Sequence, residues 1–341
     1  MVSINTSGEI GSVVRVAGEL RPVNLRTDLA ALADLIELAF AHSMDSGGRA
    51  VLREMRTLSK LGPGLNLLSR MSDSVTGVSL GYVWLVNGRL VGNVSVYRAK
   101  WPSDLGNVWL IANVAVHPDY RQQGIAYQLM QAAMKMVVHR GGNAAILQVE
   151  TENEAARHLY RSLGFTSGSS WTVWRRRGTM LRQPKPSEEG LKVSRRHRGK
   201  WRDEFALAGR IRLHDQDGLG WLRPLHESQF KRTLTQKLSD WVNLNKIERH
   251  TVWSEKDDKL LASLWIEAPF SRKTYLTLMT EPHFRGLGSD ILLNLAVCRF
   301  GNSPLFIEHP SDDAQTEELL LRYQFKKQRI LMPMRWDVSK T

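Results

Sequence analysis

Residues 108–126, VWLIANVAVHPDYRQQGIA, combine a nearly continuous apolar run, a stop at His117-Pro118, and a turn containing Arg121, Gln122, Gln123, Gly124, Ile125 and Ala126. Strand, turn and helix in that order can hold a pyrophosphate. The first amides of a helix lack intrahelical acceptors, and the helix dipole favours negative charge there. Gly124 and Ala126 keep side-chain bulk away from the approach, and Arg121 adds positive charge. A glycine after a strand is also an ordinary turn into a helix, so the spacing alone leaves both readings open.

The flanking elements must hold that turn in place. Val108 to Val116 is apolar enough for a strand buried on both faces. Leu129, Met130, Ala133, Met134 and Val137 recur at helical spacing over 125–139, and Gly141-Gly142 ends the helix. Residues 81–97 hold two strand-like runs around Asn87-Gly88, the dipeptide most favoured in tight hairpins. Residues 21–42 predict a short strand and then a helix capped at Thr27 or Asp28. A buried strand, AAILQVE, follows at 144–150. Asn153 opens a short helix, and a last strand is expected around Trp171 and Trp174.

At 341 residues the chain exceeds one ordinary domain of roughly 150 residues and predicts two. Its 42% hydrophobic and 24% charged residues suit a soluble globular protein. No secretory signal and no apolar run of about 20 residues is visible, so no membrane contact and a cytoplasmic location are expected. The single cysteine, Cys298, excludes an intramolecular disulfide and a cysteine zinc site, and the histidines lack metal-ligand spacing, so no metal is predicted. The net charge of +13 fits a phosphate-bearing ligand as well as nucleic acid, which is read as the less favoured partner. The proline- and charge-rich residues 181–202, with the basic run 195–202, read as a solvated linker between residues 1–180 and 203–341.

The second half repeats the plan. Residues 248–267 predict a hairpin around Lys256-Asp257-Asp258, and 274–280 another buried strand. Pro118, Arg121 and Gly124 match Pro282, Arg285 and Gly288 at a constant offset of 164 positions, and Phe165 matches Phe325 at 160.

The segment VAVHPDYRQQGIA resembles the GNAT N-acetyltransferase superfamily, whose motif of arginine or glutamine, two residues, glycine, one residue, then glycine or alanine is met by Arg121, Gly124 and Ala126. NEAARHLYRSLGF, at 153–165, resembles that family's later motif. The resemblance covers about residues 20–178. It implies an α/β (α+β) architecture of two tandem domains, each a mixed, mostly antiparallel sheet with a splayed central strand pair flanked by helices. It further implies acetyl-CoA as acetyl donor and direct transfer to a primary amine on a small molecule or peptide. Val114 and Val116 are assigned main-chain contacts to the pantetheine arm, Gln122, Gln123, Gly124, Ile125 and Ala126 the pyrophosphate, and Asn153 the arm's amides, against its alternative as a helix cap. Tyr160 stands where many members keep the acid that protonates the departing thiolate; otherwise it is a packing tyrosine. Gln148 replaces a glutamate of the ribosomal-protein acetyltransferases, which leaves Glu150, Glu152 or a held water as base.

The second copy reads as degraded. Asp290 stands in place of Ala126, Leu320 of Tyr160, and Gln324 of Gly164. Mycothiol synthases resemble the tandem plan, but their C-terminal copy is the active one. A noncatalytic acyl-CoA sensor is the competing reading.

Overall fold

The computed structural model describes residues 17–41, 44, 46–60, 80–179, 185–196, 198–212, 218–231, 245–269 and 273–338. They fall into two compact units, one within Met1–Ala99, Asn107–Ala145 and Asp337–Thr341, the other within Lys100–Gly106 and Ile146–Trp336.

In the first unit, β1 (Glu19–Pro22), β2 (Leu80–Val86), β3 (Arg89–Arg98) and β4 (Val108–Val116) pair antiparallel in that order. Asn87 and Gly88 form the two-residue turn between β2 and β3, both at positive φ (50° and 76°), as the mirror-image hairpin turn requires. Helix α1 (Leu29–Ala39) packs Ala33 and Ile36 against Leu52 of α2 (Ser46–Ser59). Asp28 is its N-cap but makes no side-chain cap bond; its carboxylate instead takes the Arg21 guanidinium at 2.7 and 2.8 Å.

Helix α3 (Ile125–His139) buries Ile125, Leu129, Met130, Ala133 and Val137. It lies close on β3 because Gly92 has no side chain: a Cβ there would stand 2.9 Å from Ile125 and 3.0 Å from Leu129.

β5 (Ala144–Glu150) enters the second unit from Ile146. There follow α4 (Glu154–Ser162), β6 (Thr166–Ser167), β7 (Trp171–Arg176), β8 (Leu191–Arg195), α5 (Trp201–Ile211), α6 (Glu227–Phe230), β9 (Lys246–Ser254), β10 (Leu260–Ala268), β11 (Thr274–Thr280), α7 (Arg285–Phe300), β12 (Leu305–Pro310), α8 (Ala314–Arg322) and β13 (Lys326–Asp337). The strand order in this unit is β5-β13-β7-β12-β11-β10-β9-β8, with β6 paired to β13. β11 and β12 run parallel, while β8 to β11 and the pairs of β7 with β12 and β13 are antiparallel.

That order contains an exchange between the two sequence repeats. β6 and β7 together are equivalent to β13, following the helix after β5 as β13 follows the helix after β12. Yet β7 lies between β13 and β12, and β13 lies beside β5. Trp174 is accordingly buried among Leu264, Leu276, Leu305, Leu320 and Phe325 of the second repeat. The compact units therefore part near residue 145 rather than at the sequence boundary around 180.

The stretch expected as a solvated linker is also structured where it is described. β8 pairs with β9, Arg196 is ion-paired to the buried Glu204 at 2.8 Å, and Lys200 lies 4.4 Å over the Trp253 ring. Composition missed this because Arg196 ends on a buried partner, while Arg195 and Arg202 are exposed as expected. Residues 181–184 and 197 of that stretch lie outside the described residues.

Candidate functional site

β4 carries a bulge. Asn93 opposes Ala115 and Ser95 opposes Ala112, so Asn113 and Val114 together face one residue of β3. Asn113 accordingly takes φ 50°. The fully buried Asn93 pins the irregularity, its Nδ2 donating to the Asn113 carbonyl at 2.9 Å and reaching Ser95 Oγ at 3.3 Å. This polar trio under a strand was not singled out in the sequence, although asparagine and serine at alternate positions of an otherwise apolar strand are its trace.

β4 ends at a short 3-10 turn, Pro118–Tyr120, after which Gln122 (φ 61°) and Gly124 (φ 76°) adopt left-handed backbone and α3 begins at Ile125. Gly124 is the N-cap, and no side chain caps the helix. A Cβ on Gly124 would meet nothing within 4 Å, so the glycine faces open space. Arg121 donates from Nε to the Val116 carbonyl at 3.3 Å, which folds its side chain back along the strand end. The turn thus offers uncapped amides beside a guanidinium, with open space at Gly124, a donor set that fits the charge of a diphosphate.

The second repeat has lost this turn, for a reason other than the one expected from Asp290. At the offset of 164, α7 would begin at Ser289; it begins at Arg285, one helical turn earlier. Gly286 and Gly288 have no positive φ, and a Cβ on Gly288 would stand 2.4 Å from the Phe284 ring. Glycine here serves packing. Asp290 does not face a ligand position, since its carboxylate accepts the Tyr323 hydroxyl at 2.6 Å and pairs with Arg322.

In the second unit, Asn153 caps α4, its Oδ1 accepting the Ala156 amide at 3.1 Å, so the capping role is realised. Its exposed side-chain NH2 remains on the surface. Tyr160 is buried against Phe165, ring centres 6.0 Å apart, and Phe165 lies 6.3 Å from Trp336. Burial pushes the Tyr160 hydroxyl up to about 12. Leu320 takes its place in the second repeat: the Phe165 amide bonds the Tyr160 carbonyl as the Phe325 amide bonds that of Leu320. Gln324 even keeps the left-handed φ of Gly164 (64° against 88°).

Asp313 is the counterpart of Asn153, and it closes rather than opens the second site. It caps α8 through the Thr316 amide at 3.1 Å, takes His309 Nε2 at 2.8 Å, and lies 3.3 Å from Arg285, the counterpart of Arg121. Burial alone would raise its carboxyl, but hydrogen bonds from His309 and Thr316 outweigh it and hold the group at about 2. A depressed carboxylate pKa stabilises the fold above the unfolded value near 4 and loses that effect as pH falls from there towards 2. Asp313→Ala is expected to cost about 2–4 kcal/mol at neutral pH, through the lost cap and the stranded buried partners, and to flatten the acid limb over that window. Thermal melts of both proteins between pH 2 and 7 check it.

Among the described residues no group of three His, Cys, Asp or Glu is placed to hold a metal ion, and no helix is long and apolar enough to cross a membrane.

Residues 68–165 match the acetyltransferase (GNAT) family. A stretch of 55 residues is 44% identical to N-alpha-acetyltransferase 30 of Schizosaccharomyces pombe, covering 16% of this chain and 37% of that protein. The chain spans less than half the length of the curated relatives it matches. In structure it is similar to a GCN5-related N-acetyltransferase from Sphaerobacter thermophilus, with TM-score 0.61, 14% identity, and 95% of this chain and 96% of that one covered. It is also similar to a tandem GNAT protein from the clavulanic acid biosynthesis pathway, with TM-score 0.53, 10% identity, and 95% and 100% covered. At such identities these two likenesses speak for the fold alone.

Proposed function

We propose that this chain, whose residues 68–165 match the acetyltransferase (GNAT) family, transfers an acetyl group from acetyl-CoA to a primary amine, using the first repeat's turn and the side chains of Asn153 and Tyr160. The observation that carries this reading is the uncapped, left-handed turn at Gln122 and Gly124, kept in the first repeat and replaced by helix in the second. Amides of residues 122–126 hold the diphosphate with Arg121 beside it. Main-chain groups of Val114 and Val116, next to the bulge, and the Asn153 NH2 bond the pantetheine amides. The nitrogen attacks the thioester carbon, an N–C bond forms and the C–S bond breaks. One proton leaves the nitrogen for water, and Tyr160 supplies one to the sulfur. Gln148 and the half-exposed Glu150 lie on β5. A cytoplasmic setting remains part of this proposal.

Burial keeps the Tyr160 phenol protonated but makes it a weaker acid, so its proton passes to the sulfur only as the C–S bond breaks. The fold gains fully from the neutral phenol below the unfolded value near 10 and loses that gain as pH rises from 10 to 12. Tyr160 therefore imposes no alkaline loss of kcat below about pH 10. Tyr160→Phe is expected to lower kcat about 100-fold and leave the acetyl-CoA Kd within twofold. Unchanged kcat across the pH range would remove its role as acid.

The reading as a whole is tested by thiol release from acetyl-CoA against a panel of amines. Acceptor-dependent release supports it; tight acetyl-CoA binding with no release for any amine would establish the acyl-CoA sensor instead.

A further inference from the structure

The second unit holds an open cleft whose walls include Trp101, Trp171, Trp221, Leu222 and Met334, with Gln148 of β5 in its lining. We propose that this cleft takes a primary amine carried on an aromatic or alkyl body and turns away polycationic amines. The proposal rests on the acetyl-transfer reading for what happens to the amine, and on the cleft alone for which amine enters.

Three indoles meet here from distant parts of the chain; the rings of Trp101 and Trp171 are held, and Trp221 is fixed through its backbone. The loop at 218–224 closes on itself, with the Leu219 amide bonding the Arg223 carbonyl at 2.8 Å and the Arg223 amide bonding the Gly220 carbonyl at 3.1 Å. Leu222 takes φ 60°, a strained conformation for a branched side chain, and its carbonyl accepts Trp101 Nε1 at 3.2 Å. Glu308 accepts the Trp221 amide at 3.0 Å, and the Arg223 guanidinium is anchored to Glu267 and, at 3.1 Å, to Thr277 Oγ1. Arg212 lies 4.7 Å over Trp171, fixing that ring. A ligand with an aromatic or alkyl body gains contact with these faces without having to order them first.

Charge decides against the other amines. Among the described residues, the ionisable groups in the lining are Arg223 and Arg335, and no carboxylate lines the cleft. The Glu308 carboxylate, beside Gly220, is engaged with the Trp221 amide. An aminoglycoside or polyamine would bring several ammonium groups into apolar walls beside two guanidinium groups, in a chain of net charge +13, and each would lose hydration without an ion partner. A single amine on an apolar body fares differently. Desolvation lowers its pKa towards the neutral form that can attack, and the Gln148 side-chain oxygen can accept an N–H without adding charge.

The test uses the full chain with tryptamine, hexylamine, spermidine and kanamycin. Turnover with acetyl-CoA is read as kcat/KM, and tryptamine binding without acetyl-CoA by calorimetry. Tryptamine or hexylamine is expected to exceed spermidine and kanamycin by at least about 100-fold in kcat/KM. Trp221→Ala should raise the tryptamine KM and Kd about tenfold with acetyl-CoA affinity unchanged, and Gln148→Glu should shift selectivity towards spermidine by about tenfold. Preference for spermidine or kanamycin, or unchanged tryptamine binding in Trp221→Ala, would overturn the proposal. Tryptamine bound in a Trp221-dependent way, with no thiol released for any amine, would support the cleft's ligand class while ending the acetyl-transfer reading.

Discussion

A chain cut after residue 180 is expected to show no cooperative unfolding transition and no measurable acetyl-CoA affinity, although it keeps every residue assigned to the donor site. The reason is the exchange of strands. β7 finds its partners in β12 and β13, and β13 is the neighbour of β5, so removing the second repeat leaves β7 without a partner and strips β5 on one side. Trp174, fully buried, would face water. Arg176 is buried as well, and donates to the carbonyls of Tyr323 at 3.0 Å and Gly301 at 3.1 Å; both acceptors go with the cut. The loss of burial and of these bonds exceeds the roughly 5–15 kcal/mol by which domains are stable. Circular dichroism melts and amide exchange of the 1–180 fragment check the expectation, and co-expression with the 181–341 fragment should restore folding. A sharp melt of the fragment alone, with native donor affinity, would show that the exchange is incidental.

What was legible in the sequence was local. Asn87-Gly88 marks its hairpin because few residue pairs tolerate two positive φ values in succession. β4, α3 and the helix opened by Asn153 were readable because apolar spacing and stop signals coincide there. The partner of β7 was not legible. Trp171 to Trp174 says that the strand is buried but not beside which strands, since it takes the apolar Leu305–Pro310 of β12 on one side and the largely polar start of β13 on the other. Helix α2, with Gly47 and Gly48 near its start and a mostly polar face, carried too weak a pattern to stand out. The tryptophan cleft was hidden for the same reason as the exchange: Trp101, Trp171 and Trp221 are far apart along the chain, and only the folded second unit brings them together. Asp290, Leu320 and Gln324 are the letters that read as a degraded second repeat, and the structure adds the extra helical turn at Arg285 and the capture of that arginine by Asp313.

Arg285 and Gly288 reproduce the letters of Arg121 and Gly124, and substitution at the two glycines should separate letter from role. Gly124→Glu is expected to weaken acetyl-CoA binding by at least 100-fold while the protein stays folded. At φ 76° any side chain is strained, at a cost of about 1–2 kcal/mol, but the space around it is open, so the fold accommodates the change. The new carboxylate then stands at the uncapped helix start, where it occupies the anion's place and repels a diphosphate. Gly288→Ala should behave in the opposite way. Its backbone is helical and unstrained, yet the added methyl would meet the Phe284 ring at 2.4 Å, so packing must shift at a cost of about 1–3 kcal/mol. Its acetyl-CoA affinity should not change. Calorimetry with acetyl-CoA and thermal melts on both variants give the two readouts side by side. Normal donor affinity in a folded Gly124→Glu protein would remove the diphosphate from this turn, and with it the assignment of residues 122–126; a lost affinity in Gly288→Ala at unchanged stability would instead place donor binding in the second repeat.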